Sequence, residues 1–251
     1  MLKRKFYNKL LDWKKKANKK PLFVRGARQI GKTYIIDYFG KTNYSSYIYI
    51  NFLENSDYKR IFDGALDAAT IYSRMSLMIQ SARFAENDTL IFLDEIQECG
   101  NARTALKFLA QDARYDIVVS GSLLGVQYKN VKSIPVGYEE PVTMYSLDFE
   151  EFLWAKGYSQ EQISALQESF LEQRKVDDLI NDVMHRELRE YMVIGGMPAV
   201  VQTFIENRNF AEADEIQRQI VSDYLDDIMN YASEVEKPKI RNCFLSIPRQ
   251  L

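Results

Sequence analysis

At 251 residues and 29.3 kDa, with 46% hydrophobic and 27% charged residues, the chain has the length of one large or two small domains and a globular composition, which excludes disordered, collagen-like and coiled-coil classes. No apolar run approaches the roughly 18 residues of a membrane span, and the N-terminus lacks the apolar stretch of a secretory signal, so a cytoplasmic location without a membrane partner is expected. Cys99, Cys243 and the single histidine, His185, have neither the number nor the spacing for a disulfide framework or a structural zinc site.

The net charge of −2 is unevenly spread. Residues 1–20 hold nine Lys/Arg against Asp12, and the remaining body carries 24 bases against 34 acids. An acidic body is a poor general binder of nucleic acid, which leaves nucleic acid an unsupported partner. The basic start reads as a surface helix that docks through Leu2, Phe6, Leu10 and Trp13, with its lysines solvated; a phosphate-contacting arm is the other reading.

In chain order, Pro21 is expected to end that helix, and Leu22–Val24 to form a buried strand stopping at Gly26. A helix then includes residues 34–38, a strand spans 44–52, and a helical stretch runs from Tyr58 to about Arg83. Leu90–Leu93 is apolar on both faces, as strands of helix-covered parallel sheets are. A helix over 102–113, a strand over 116–119 and a fifth strand over 142–145 complete a β-α alternation, hence an α/β domain over 1–147. Beyond it the period becomes helical. Asp148 with Glu151 and Ser159 with Gln162 make capping boxes, and Phe210, Ala213, Ile216, Ile220, Tyr224 and Ile228 share one helix face, so 148–251 reads as a small helical domain.

Between the first strand and first helix lies GARQIGKT, the G-x-x-x-x-G-K-[ST] arrangement. Its glycines let consecutive NH groups of Gly26, Ala27, Arg28, Gln29, Ile30 and Gly31 turn toward a phosphate, with Tyr34 flanking the loop on the helix. Lys32 supplies charge for the β and γ phosphates, and the Thr33 hydroxyl a magnesium ligand. The third strand delivers Asp94 and Glu95 at its C-terminal end, where open α/β sheets bind ligands. Asp94 is expected to hold the magnesium through water, and Glu95 to polarise the attacking water. Ser120 and Ser122, at the end of the fourth strand, are both eligible to report the γ-phosphate.

VRGARQIGKTY, IFLDEIQ, VVSGSLLGV, PVG, LDFEEFLWAKG and YMVIGGMPAVV, in this order, resemble the prokaryotic AAA-type ATP-binding proteins that usually carry a further C-terminal domain with a nuclease-like fold. The resemblance covers nearly the whole chain. It implies an additional-strand P-loop NTPase: a mostly parallel five-stranded sheet in the order 5-1-4-3-2, flanked by helices and followed by an all-α lid. The chain departs from the family at Tyr138, where a Lys or Arg commonly follows the glycine, and at Ser146, where proline is usual. Its end at SIPRQL makes it resemble the N-terminal part of a longer protein, truncated in the helical domain.

These readings give an Mg-dependent ATPase that binds ATP and ADP and couples nucleotide state to a partner protein or a C-terminal domain; the alternative is a nucleotide-gated scaffold with little turnover. No arginine finger declares itself: Arg28 lies in the loop, and Arg114, Arg186 and Arg189 are unplaced. The GGMP turn at 194–198 is either a nucleotide-responsive hinge or a tight inter-helix turn. Self-association through the apolar residues of 238–251 is expected.

Overall fold

The computed structural model describes residues 2–122, 137–232 and 234–250, which form two compact units, Phe6–Met144 and Met1–Lys5 with Tyr145–Leu251. In the first, five strands lie in one sheet: β1 (Leu22–Gly26), β2 (Ser46–Asn51), β3 (Thr89–Asp94), β4 (Asp116–Ser122) and β5 (Glu140–Thr143). The order is β2-β3-β4-β1-β5, and every pairing is parallel, so the sheet is wholly rather than mostly parallel. Helices α1 (Lys5–Lys14), α2 (Lys32–Asn43), α3 (Ala68–Met78) and α4 (Gly100–Asp112) accompany it.

Strand parity divides the side chains between the two faces of the sheet. Phe23, Ile48, Ile50, Ile91, Leu93, Ile117 and Val119 join one large core that includes Ile71, Met75, Leu106 and Leu109 of α3 and α4. Tyr47, Tyr49, Asn51, Phe92, Asp94, Val118 and Ser120 alternate with them and belong to the opposite face. On that face the buried Ile36 and Phe39 come from α2. The parity therefore places Asp94 and Ser120 on a common face, side by side on the directly paired neighbours β3 and β4.

Several expected elements differ in extent. The first helix closes at Lys14 rather than running to Pro21, and the indole of Trp13 donates to the Lys20 carbonyl at 3.0 Å, folding the segment back. The expected helix over Tyr58–Arg83 is broken: a 3₁₀ turn over Ser56–Phe62 stops before Gly64, whose φ is 69°, and Asp67 caps α3 by accepting from Thr70 N. Tyr44 is the C-cap of α2 rather than strand. The fifth strand sits two residues earlier than expected, because Leu22–Arg25 of β1 pairs with 140–143.

In the second unit, α5 (Phe149–Ala155) and α6 (Gln160–Leu171) each begin with a complete capping box, at Asp148/Glu151 and Ser159/Gln162. They are followed by α7 (Asp178–Ile194), α8 (Pro198–Asn207), α9 (Phe210–Tyr231) and α10 (Lys237–Ser246). Leu147, Phe152, Ile194, Val200, Val201, Phe204, Ala213 and Ile220 form its core. Leu2 packs against this core and not beside Phe6, Leu10 and Trp13, so the apolar stripe assigned to one N-terminal helix serves two units. The reason lies in Arg4 and Lys5. The Arg4 guanidinium meets Glu151 at 3.2 Å and donates to the Tyr145 carbonyl at 2.6 Å, while Lys5 N donates to Glu151 Oε1 at 2.6 Å.

Candidate functional site

The site is built where β1, β3 and β4 end. Beyond Gly26 the chain turns through Gln29 at φ 61° and Gly31 at φ 88°, and this mixture of left- and right-handed backbone makes a loop whose NH groups can converge on an anion. Ile30, 1% exposed, anchors the loop from beneath. A Cβ on Gly26 would lie 2.4 Å from the Met144 carbonyl oxygen, so only glycine fits where the loop leaves the sheet. Gly31 caps α2, directing the helix's N-terminal end at the loop.

Lys32 is buried, and its ammonium donates to the carbonyls of Gly26 at 3.1 Å and Ala27 at 2.6 Å. Burial lowers its pKa, Glu95 and Asp94 oppose that shift, and the Arg28 guanidinium adds to it. Those interactions set the Lys32 ammonium among two carboxylates and a second cation, Arg28. Arg28 is half-buried, Ala27 and Gln29 are exposed, and Tyr34 is 62% exposed on the first turn of α2.

Asp94, 2% exposed, is the hub. Its Oδ2 accepts from the Thr33 hydroxyl at 2.8 Å and from the Tyr49 hydroxyl at 3.1 Å. Its Oδ1 accepts from Glu95 N at 3.0 Å and from the Ser120 hydroxyl. Glu95 follows in the left-handed region at φ 54°, and its Oε2 accepts from the amide of Gln97, itself buried. The structure thus brings Lys32, Thr33, Asp94 and Ser120 together, with Glu95 beside them. Ser122 ends β4 with its backbone paired to Gly26, and its side chain lies outside the described residues, as do Leu123–Val126 and Pro135–Val136 of the family-like motifs.

Two participants were not legible as such from sequence. Tyr49 passes for one more strand aromatic, yet the alternation of Tyr47 and Tyr49 with Ile48 and Ile50 marks it as facing the other way from the apolar core. Gln97 carries only its spacing from Glu95 as a signal. Burial raises the Tyr49 pKa, Asn51 lowers it through a hydrogen bond, and the Asp94 charge raises it further, so the phenol stays protonated as a donor.

The unplaced arginines separate. Arg114 stands before the first residue of β4, at the end of the strands opposite the loop, with its guanidinium on Asp112 at 2.9 Å and over the Tyr72 ring at 5.1 Å. Arg186 and Arg189 are exposed on α7. Tyr138 lies 5.5 Å from the Lys107 ammonium, a cation beside the position where the related family commonly has one. His185 is exposed, Cys99 is buried and Cys243 exposed, both as free thiols.

Among the described residues no helix is long and apolar enough to cross a membrane, and no cluster of three or more His, Cys, Asp or Glu could hold a metal. An oxygen site of one hydroxyl, one carboxylate and phosphate is a different donor set, and it suits a hard cation such as magnesium. The pattern of a domain of unknown function (DUF8612) matches residues 185–251. No curated protein matches the chain. The pattern of the AAA domain matches residues 18–153, more than half of the sequence and all five strands, and the chain belongs to that family, its α/β unit being a P-loop NTPase-like module.

Proposed function

We propose that the α/β unit binds ATP with magnesium on residues 26–34 and hydrolyses it, and that the helical region relays nucleotide state to a partner protein or a following domain. The observation that carries this reading is the convergence of the Thr33, Tyr49 and Ser120 hydroxyls on Asp94 beside the Lys32 ammonium. In this reading the backbone NH groups of Gly26–Gly31 and the start of α2 hold the phosphates. Lys32 leaves the carbonyls of Gly26 and Ala27 for the more strongly charged phosphate oxygens.

Thr33 and Asp94 are the groups to hold magnesium: a hydroxyl that donates to Asp94 keeps its lone pairs free for a cation. Bound there, the metal neutralises phosphate charge. Ser120 or Ser122 reports the γ-phosphate, and Glu95 accepts the proton of the attacking water, with Gln97 fixing its carboxylate.

The scaffold reading, ATP held with little turnover, draws on that same Gln97 contact, which occupies a Glu95 oxygen. Replacing Glu95 with Gln keeps shape and removes the base. The expected result is retained ATP binding with turnover lower by about 10²–10⁴. Turnover equal to that of the parent, at a measurable rate, removes Glu95 from the mechanism; binding with no turnover in either protein favours the scaffold.

A further inference from the structure

Asn51, the last residue of β2, is 9% exposed, and a buried amide needs partners for both its oxygen and its nitrogen. Its Oδ1 accepts from Leu53 N at 2.9 Å and from Glu54 N at 3.1 Å, and its Nδ2 donates to the Tyr49 hydroxyl at 3.1 Å. The two backbone NH groups fix which end is oxygen, because a reversed amide would set its NH2 group against both of them. The nitrogen therefore faces Tyr49. Having accepted there, the phenol oxygen has its single proton to give to Asp94 Oδ2, at 3.1 Å.

The donors thus run one way, from the backbone after β2 through Asn51 and Tyr49 to the Asp94 carboxylate, and bonds aligned in this sense strengthen one another. Strand pairing supplies the alignment. Asn51 lies opposite Asp94 and Tyr49 opposite Phe92 in the β2–β3 register, and Phe52 N donates to the Asp94 carbonyl at 3.3 Å. Backbone and side chains of β2 therefore hold the same residue. From α2, the Thr33 hydroxyl donates to the same Oδ2 at 2.8 Å. Tyr49 and Thr33 share one carboxylate oxygen, and of the two only Thr33 is a group to hold magnesium.

We propose that Asn51 is a positioning residue for the magnesium site: by orienting the Tyr49 hydroxyl as a donor, it fixes Asp94 Oδ2 where the carboxylate meets the shell of a cation held by Thr33. The proposal rests on the magnesium reading above and adds to it two residues that touch neither metal nor nucleotide. Groups that orient a metal-holding side chain in this way are worth about ten- to a hundredfold in metal affinity. The competing role for Asn51 is local, its oxygen shaping the turn at 53–54 and nothing more.

Three variants separate the two roles: Asn51→Ser, whose hydroxyl can still accept from the turn but is too short to reach Tyr49, Tyr49→Phe, and the two together. Calorimetry with a non-hydrolysable ATP analogue, once with magnesium and once with a chelator, gives the factor by which magnesium tightens binding; thermal unfolding checks each fold. Asn51→Ser is expected to keep the parent's metal-free affinity and to shrink the magnesium factor about two- to tenfold, the worth of one hydrogen bond. Tyr49→Phe is expected to shrink it about tenfold or more. In the Tyr49→Phe background Asn51→Ser is expected to cost nothing further, since its route to Asp94 is already gone. A parent-like magnesium factor in Asn51→Ser, or an equal fall in both backgrounds, would overturn the proposal. Should Asn51→Ser not fold, a parent-like factor in Tyr49→Phe overturns it. A parent that binds no nucleotide, or gains nothing from magnesium, overturns the underlying magnesium reading and the proposal with it.

Discussion

A carboxylate has about four acceptor positions, and Asp94 fills four, with Thr33, Tyr49, Ser120 and the Glu95 amide. A water from a magnesium shell must therefore displace one of them. Ser120, which the proposed mechanism turns to a phosphate, is the natural one to yield, and Tyr49 the one to remain. Removing the Tyr49 hydroxyl while keeping its ring, which lies 5.3 Å from Phe92, deletes that bond together with the one that the Asn51 amide donates to the hydroxyl at 3.1 Å. Tyr49→Phe is expected to lower the stability of the nucleotide-free protein by about 1.5–3 kcal/mol, as for a hydrogen bond to a charged group, with an unchanged denaturant slope. An unchanged unfolding midpoint would show that the bonds of this hydroxyl contribute nothing net. Lys32, Thr33, Asp94 and Glu95 were legible in sequence because their chemistry rests on local spacing. Tyr49 was not, because its bond to Asp94 spans 45 residues and depends on which strand lies beside β3.

Among the elements, the three inner strands β1, β3 and β4 announced themselves, since strands covered on both faces read as short apolar runs. The break between Ser56–Phe62 and α3 did not: its determinants are one positive φ at Gly64 and one Asp67 cap, weak signals beside the aromatic and aliphatic content of that stretch. The turn at 194–198 shows a backbone reason for Gly195, whose φ is 70°, and a packing reason for Gly196. Leu147 N donates to Gly196 O at 2.7 Å, the Tyr191 hydroxyl donates to Leu147 O at 2.8 Å, and Pro198 opens α8. A Cβ on Gly196 would stand 2.1 Å from the Leu147 carbonyl oxygen, against backbone that has little room to retreat. Gly196→Ala is therefore expected to cost about 1–3 kcal/mol or more, read from a lowered thermal midpoint. A midpoint equal to the parent's would contradict the tight approach.

Across the whole molecule, the uneven charge of the sequence resolves into pairing. Lys14 lies 3.7 Å from Asp88, Lys16 2.6 Å from Glu140 and Lys19 2.9 Å from Asp116, while Lys5 meets Asp148 and Glu150 at 2.6 Å. The basic start thus faces the chain's own acids, which favours the solvated-helix reading over a phosphate-contacting arm. Composition alone gave the charge imbalance; which acids answer it depends on the strand ends that the fold brings near. The strand order came only from the family resemblance, since a single sequence carries strand identity but not neighbour choice.

If Lys32 and its loop bind nucleotide phosphate, calorimetric titration of magnesium and ATP into the parent and into Lys32→Ala will separate the two proteins. Saturable binding to the parent is expected, with a loss of about 1.5–3 kcal/mol in the variant, roughly ten- to a hundredfold in affinity, because backbone NH groups alone cannot neutralise the phosphates. Equal affinity of the two proteins, or no binding to the parent, would contradict it.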